Sequence, residues 1–199
     1  MKITLLNLLI TGLLFIAVAG CKKDSKKDDA TKNYLKVDGT EYDISKGFIV
    51  NYGGSGSIYN IDLVVVSSGL NIHDVNGLPD SVSGTGNTVY FEMYSSVSDK
   101  ISSGDYVYND SGAAGSFDYE DYMLNWNTTT QPNAETTEIT SGTVKVINSG
   151  TEYELTFSGK DVHNKIISGY YKGNLKYYDD SGKKKSLKIK QPWKYQQIR

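Results

Sequence analysis

Alternation of apolar and polar residues, broken by turn residues at short intervals, is the feature that most constrains the fold of this 199-residue chain. The clearest case is residues 143–157, where Tyr153, Leu155 and Phe157 alternate with charged or hydroxyl residues after the turn Asn148-Ser149-Gly150. Side chains at alternate positions of a strand lie on the same face of a sheet. This segment therefore predicts a β-hairpin with one buried face.

Similar patterns recur along the chain, and no stretch of ten or more residues keeps an apolar stripe at helical spacing. Sixteen tyrosines and twenty glycines, with only three prolines, suit strands joined by tight turns. We predict an all-β domain of roughly ten strands, arranged as an antiparallel, jelly-roll-like β-sandwich, with a closed calycin-like barrel as the alternative. The predicted strands are 34–37 and 40–44 (joined by Asp38-Gly39), 47–52, 58–66, 89–94, 106–108, 118–126, 143–147, 153–157, 166–178 and 186–190. The end of strand 58–66 is continuously apolar, which predicts burial on both faces.

The first twenty residues predict an export signal. Lys2 precedes the apolar residues 3–18, whose length suits a signal-peptide core and is short for a permanent membrane span. Val18-Ala19-Gly20-Cys21 resembles the bacterial lipobox, and Cys21 is the only cysteine. The resemblance implies cleavage before Cys21 and lipidation of its thiol, which anchors the protein to a membrane without spanning it. No cysteine then remains for a disulfide.

Residues 22–32 are highly charged and have little to bury, which predicts a flexible tether between Cys21 and a single domain over residues 33–199. Lys22 directly follows the cysteine, and this resembles lipoproteins that are sorted to the outer membrane. Lys27-Asp28-Asp29 resembles the export signal of Bacteroidetes surface lipoproteins. Patterns in residues 142–146, 153–157 and 169–175 resemble uncharacterised lipoproteins of the same group, which are all-β domains of unassigned function. The resemblance implies an outer-membrane lipoprotein exposed at the cell surface, with the periplasmic face as the alternative.

The charge balance argues against a nucleic-acid partner. The chain has 21 basic and 23 acidic residues, whereas a nucleic-acid-binding domain needs a basic face. The run Lys183-Lys184-Lys185 is a local exception, and it follows turn residues, which predicts a solvated hairpin end.

The sequence shows no catalytic motif, and we predict neither an enzyme nor a cofactor. His73 and His163 lie in polar, loop-like segments, and no nucleophile elbow is present. Asp74, Asn76 and Asp80 have oxygen atoms at spacings that partly match a calcium loop, but the later oxygen ligands of such a loop are missing. These three residues are weak metal candidates, because the same residue types form ordinary turns.

Aromatic and amide side chains near residue 126 predict a ligand site. Exposed aromatic rings stack on the apolar face of a sugar, and amides hydrogen-bond its hydroxyls. A polar segment, residues 128–133, follows Trp126, which predicts a solvent-facing ring there. The candidate ligand-binding residues are Tyr122, Asn125, Trp126, Asn127, Trp193 and Tyr195.

Three functional hypotheses follow. The first is a non-catalytic ligand-binding module of the cell envelope, with glycan as the candidate ligand. The alternative is a structural or accessory subunit of an envelope protein complex, which predicts an unpaired sheet edge or an apolar patch. A hydrolase has the least support.

Overall fold

The computed structural model describes residues 32–182, which form twelve strands. No helix in this range is long and apolar enough to cross a membrane. Cys21, the tether before Lys32, the lysine run 183–185, the predicted strand 186–190, Trp193 and Tyr195 lie outside the described residues. The all-β prediction is confirmed. The strands are β1 (Tyr34–Val37), β2 (Thr40–Asp43), β3 (Lys46–Ser55), β4 (Ile58–Val66), β5 (Leu70–Val75), β6 (Leu78–Ser95), β7 (Gly104–Tyr108), β8 (Ser116–Asn127), β9 (Thr137–Ser149), β10 (Tyr153–Asp161), β11 (Ile166–Gly173) and β12 (Leu175–Asp179).

The strands form one mixed sheet that curls into a half-barrel. Its order is β12-β3-β4-β6-β8-β7-β9-β10-β11-β1-β2, and β5 pairs with β6 beside this path. Two pairs are parallel, β12 with β3 and β7 with β8, and the rest are antiparallel. The sheet is thus continuous, whereas the predicted sandwich has two separate antiparallel sheets. Within the described range its end strands, β12 and β2, do not pair with each other, so these strands do not close a barrel.

The concave side of the sheet contains the inner core. Phe91 on β6 packs against Phe157 on β10, with ring centroids 5.3 Å apart, although β8, β7 and β9 lie between these strands in the sheet. This contact requires the sheet to curl. Ile61, Leu63 and Val65 of β4 point to the same side and are fully buried. Apolar side chains therefore fill the space that the curled sheet encloses.

A second, outer core lies on the opposite face of β3, β4 and β6. It includes Phe48, Val64 and Tyr90, and the β5–β6 hairpin packs against it through Leu70 and Ile72. The first half of the long strand β6 pairs with β5, and its second half pairs with β4 and β8. Because the outer core covers Val64 and the inner core covers its neighbours, the predicted burial of β4 on both faces is confirmed.

The predicted hairpins are also confirmed. Asp38 and Gly39 have φ values of +49° and +85° and join β1 to β2 with Val37 opposite Thr40. Strands β9 and β10 pair as expected from residues 143–157. The predicted strand 166–178 is divided at Asn174 into β11 and β12, and β5 was not predicted.

Candidate functional site

A cleft of about 500 Å³ lies beside the end of β8 and is the candidate functional site. Binding sites for small ligands typically have volumes of about 300–1,000 Å³. The β1–β2 hairpin, the last residues of β8, segment 131–137 and the turn after β10 form its walls. Its lining is mostly polar, with the side chains of Asp38, Thr40, Gln131, Glu135, Thr137 and Lys165.

Two of the predicted ligand-binding residues, Tyr122 and Trp126, line this cleft. Both side chains are almost completely buried, with exposed fractions of 4% for Tyr122 and 6% for Trp126. The prediction of a solvent-facing ring at Trp126 is therefore wrong. The indole belongs to the outer core, and its Nε1 donates a hydrogen bond to the carbonyl of Gln131 at 2.9 Å.

The polar segment after Trp126 explains this burial. Asn127 Oδ1 accepts hydrogen bonds from the backbone N–H groups of Thr129 and Thr130, each at 3.0 Å. An asparagine that accepts such bonds forms a tight local turn. The turn folds the chain back over the indole. The polar segment that follows Trp126 therefore covers its ring instead of leaving it exposed to solvent.

The two predicted asparagines do not line the cleft. Asn125 is exposed and has a φ of +52° at a bulge between β6 and β8. Its backbone N–H donates to Asn87 Oδ1 at 2.9 Å. The oxygen of the Asn127 side chain is occupied in the turn. Binding by these residues, and by Trp193 and Tyr195, stays a prediction.

Asp161, at the end of β10, connects two walls of the cleft. It is 1% exposed, and its Oδ2 accepts a hydrogen bond from the Tyr122 hydroxyl at 2.8 Å. Its Oδ1 accepts from the backbone N–H groups of His163 at 2.9 Å and Lys165 at 2.8 Å. Burial acts to raise the pKa of Asp161, but these hydrogen bonds outweigh burial and the pKa is lowered. Asp161 is therefore a buried carboxylate that holds Tyr122 and the turn 162–165 together.

Asp161, Lys165 and the β1–β2 side of the cleft were not predicted from the sequence. The turn residues His163 and Asn164 were visible as a loop, and an aspartate that opens such a turn often accepts its backbone N–H groups. The bond to Tyr122 spans 39 residues, so no local pattern could indicate it.

The weak metal candidates lie elsewhere, at the β5–β6 hairpin. Asn76 and Gly77 have positive φ values of +53° and +77° and form its two-residue turn. Asp74 accepts hydrogen bonds from the Tyr178 hydroxyl, at 2.5 Å, and from the Lys176 ammonium. Within residues 32–182, no group of three or more His, Cys, Asp or Glu side chains is arranged to hold a metal ion.

A second cleft, of about 450 Å³, lies at the β3–β4 hairpin and contains none of the predicted residues. Tyr52 and Tyr94 line it, together with Asn60, whose Nδ2 donates to Glu92 Oε1 at 2.6 Å. The Tyr94 hydroxyl donates to Asp118 Oδ2 at 2.6 Å. This cleft has acceptors and rings, but no lysine or arginine in its described lining.

Comparison of the chain with protein-family models, with curated proteins and with solved structures finds no significant match.

Proposed function

We propose that this protein is a lipid-anchored, non-catalytic binding module of the cell envelope, and that it binds a saccharide in the cleft beside Tyr122. The observation that carries the proposal is the composition of this cleft. Three aromatic side chains, those of Tyr42, Tyr122 and Trp126, form part of its wall. Besides a few apolar residues, the other lining side chains are carboxylates, hydroxyls, an amide and an ammonium.

This combination suits a sugar better than an apolar ligand. Sugars present hydroxyls that pair with carboxylate, amide and hydroxyl groups, and these groups would be left without partners by a lipophilic molecule. The inner core is filled by side chains of the curled sheet that pack across it, such as Phe91 and Phe157, so it does not resemble the open interior of a lipid-binding barrel.

Ligand binding is expected to raise the thermal midpoint of the full-length protein, purified in detergent, when it is screened against a panel of polysaccharides. A ligand that binds only the folded state adds about 2.7 kcal/mol at a hundred times its Kd. For a domain of this size the midpoint then rises by several degrees.

A blocking variant assigns such a shift to the cleft. Thr40 is exposed and lines the cleft, so Thr40→Trp fills it without removing a core side chain. The matched control is Thr151→Trp, since Thr151 is exposed and lies in the β9–β10 turn. We expect the ligand-dependent shift to vanish in Thr40→Trp and to persist in Thr151→Trp. Equal shifts in both variants would place the saccharide elsewhere.

The anchor and the location are part of the same proposal. We propose that the domain is anchored at the outer membrane and faces the cell surface. The apolar residues 3–18, the sequence Val18-Ala19-Gly20-Cys21 and the charged tether support this proposal.

Replacing Cys21 by alanine is expected to abolish lipid labelling, because no thiol remains to be acylated. The protein should then leave the membrane fraction, since two or more acyl chains are what makes such anchoring stable. Labelling with a fatty-acid analogue, followed by fractionation, measures both effects, and Lys22→Ala serves as the control. Membrane retention of the alanine variant would refute the anchor, and protease treatment of intact cells distinguishes the surface from the periplasm.

A further inference from the structure

Lys165 gives the cleft a single positive charge, on a residue whose backbone is held by Asp161. It is the only lysine or arginine among the described residues that line the cleft, and its ammonium forms no salt bridge with a carboxylate in residues 32–182. Asp161 holds the backbone of Lys165 and the hydroxyl of Tyr122 at the same time. A buried carboxylate thus connects the backbone of Lys165 to the side chain of Tyr122.

The other charges of the cleft are the carboxylates of Asp38 and Glu135, both on exposed residues. Carboxylates accept hydrogen bonds from sugar hydroxyls, and they repel further negative charge. A polymer with an acid group on every sugar would bring its carboxylates close to those of Asp38 and Glu135, which repel them. A saccharide with an isolated acid group can place that group at Lys165 and neutral sugars at Asp38 and Glu135.

We infer that the cleft selects a saccharide in which a carboxylate-bearing sugar is flanked by neutral sugars. Lys165 pairs with the carboxylate of that sugar, and Asp161 is a positioning residue that holds the backbone of Lys165 and the hydroxyl of Tyr122 in one arrangement. This inference rests on the proposed saccharide-binding function and adds the class of ligand.

The test compares uronate polysaccharides with their carboxyl-reduced forms, in which only the acid group is changed to an alcohol. Glucuronoxylan and hyaluronan have spaced acid groups, and polygalacturonate has one on each sugar. Calorimetric titration of the full-length protein in detergent is expected to show about tenfold tighter binding of a spaced uronate than of its reduced form, as one charge-assisted hydrogen bond provides. Binding to polygalacturonate is expected to be weaker.

Lys165→Gln should reduce the affinity for the spaced uronate to that for its reduced form. Lys160→Gln is the matched control, because Lys160 is also exposed and lies outside the cleft. Asp161→Asn, measured at a temperature where circular dichroism shows it folded, should lower the preference for the acid form. A residue with a purely structural role would change the midpoint of unfolding and leave this preference intact.

The outcomes separate the two proposals. Equal affinity for the acid and reduced forms, or a preference that survives Lys165→Gln, overturns the inference and leaves saccharide binding in place. Tighter binding of polygalacturonate than of the spaced uronates overturns the requirement for neutral flanking sugars. Binding of neutral glycans alone also overturns the inference, and absence of binding to all glycans overturns both proposals.

Discussion

Replacing Glu120 by glutamine is expected to stabilise the protein at neutral pH and to flatten the fall in its stability between pH 5 and pH 9. Glu120 lies on β8 with an exposed fraction of 0%, and neither of its carboxyl oxygens has a hydrogen-bond partner in the described structure. Burial, together with the smaller effect of the nearby carboxylates of Glu138 and Asp118, raises the pKa of Glu120 from 4.5 to about 9.

The direction of the pH effect follows from the two pKa values. The unfolded chain releases the Glu120 proton near pH 4.5, whereas the folded protein keeps it until about pH 9. The favourable contribution of the protonated group is therefore complete below pH 4.5 and is lost as the pH rises towards 9. Over this range the free energy of unfolding falls by about 1.4 kcal/mol per pH unit from this group alone.

Glutamine cannot ionise, so Glu120→Gln removes this slope and gains roughly 3 kcal/mol at pH 7. Denaturant unfolding of the full-length protein at pH 5, 7 and 8.5 measures both quantities. Glu135→Gln is the control, because Glu135 is exposed and its substitution should leave the slope unchanged. Parallel stability curves for the wild-type protein and Glu120→Gln would show that Glu120 ionises in the folded state as it does in the unfolded chain.

Substitution of Gly84 by alanine is expected to cost several kcal/mol, on the order of 3–5, because two unfavourable terms add. Gly84 lies where β6 bends between the β5–β6 hairpin and the main sheet. Its φ is +115°, which alanine rarely adopts, and a Cβ atom there would be 2.2 Å from the carbonyl oxygen of Gly69. Backbone of the facing segment cannot move aside without displacing the hairpin from the outer core.

Gly77 provides a matched control on the same hairpin. Its φ is +77°, but a Cβ atom would meet nothing within 4 Å. Gly77→Ala should therefore cost only about 1 kcal/mol, from backbone strain alone. Chemical unfolding of both variants gives the difference, and similar losses in the two would mean that the contact with Gly69 is relieved by local movement.

Local patterns were sufficient for two hairpins of this domain, β1–β2 and β9–β10, and insufficient for the β5–β6 hairpin. Residues 34–43 and 143–157 each combine alternation with a turn signal, and each forms the predicted pair of strands. Strand β5 was missed because residues 71–76 read as a polar loop, and its backbone becomes a strand by pairing with the start of β6. Leu70 and Ile72 are the two apolar side chains of β5 that pack in the outer core, and two positions are too few to form a visible pattern.

Whether a particular side chain is buried depends on how the sheet curls. A short stretch of sequence does not predict this curvature. Glu120 has acidic neighbours in the sequence, so it reads as part of a solvated strand. A bulge between Phe117 and Tyr119 interrupts the alternation of β8, and the curled sheet then encloses Glu120. The cleft likewise combines residues from four separate segments. The sequence could indicate Tyr122 and Trp126 as candidate ligand-binding residues, but not the burial of their rings.

The order of strands also determines when the sheet can be completed. Strand β1 at the start of the domain pairs with β11, and β3 pairs with β12, so Tyr34 faces Tyr170 and Gly47 faces Leu175. Contacts between residues so distant in sequence form slowly, because long loops must close first. A chain that emerges with its N-terminus first therefore cannot finish this sheet until its last strands have emerged. Such delayed folding keeps the polypeptide extended until its synthesis is nearly complete, which suits the export that we propose.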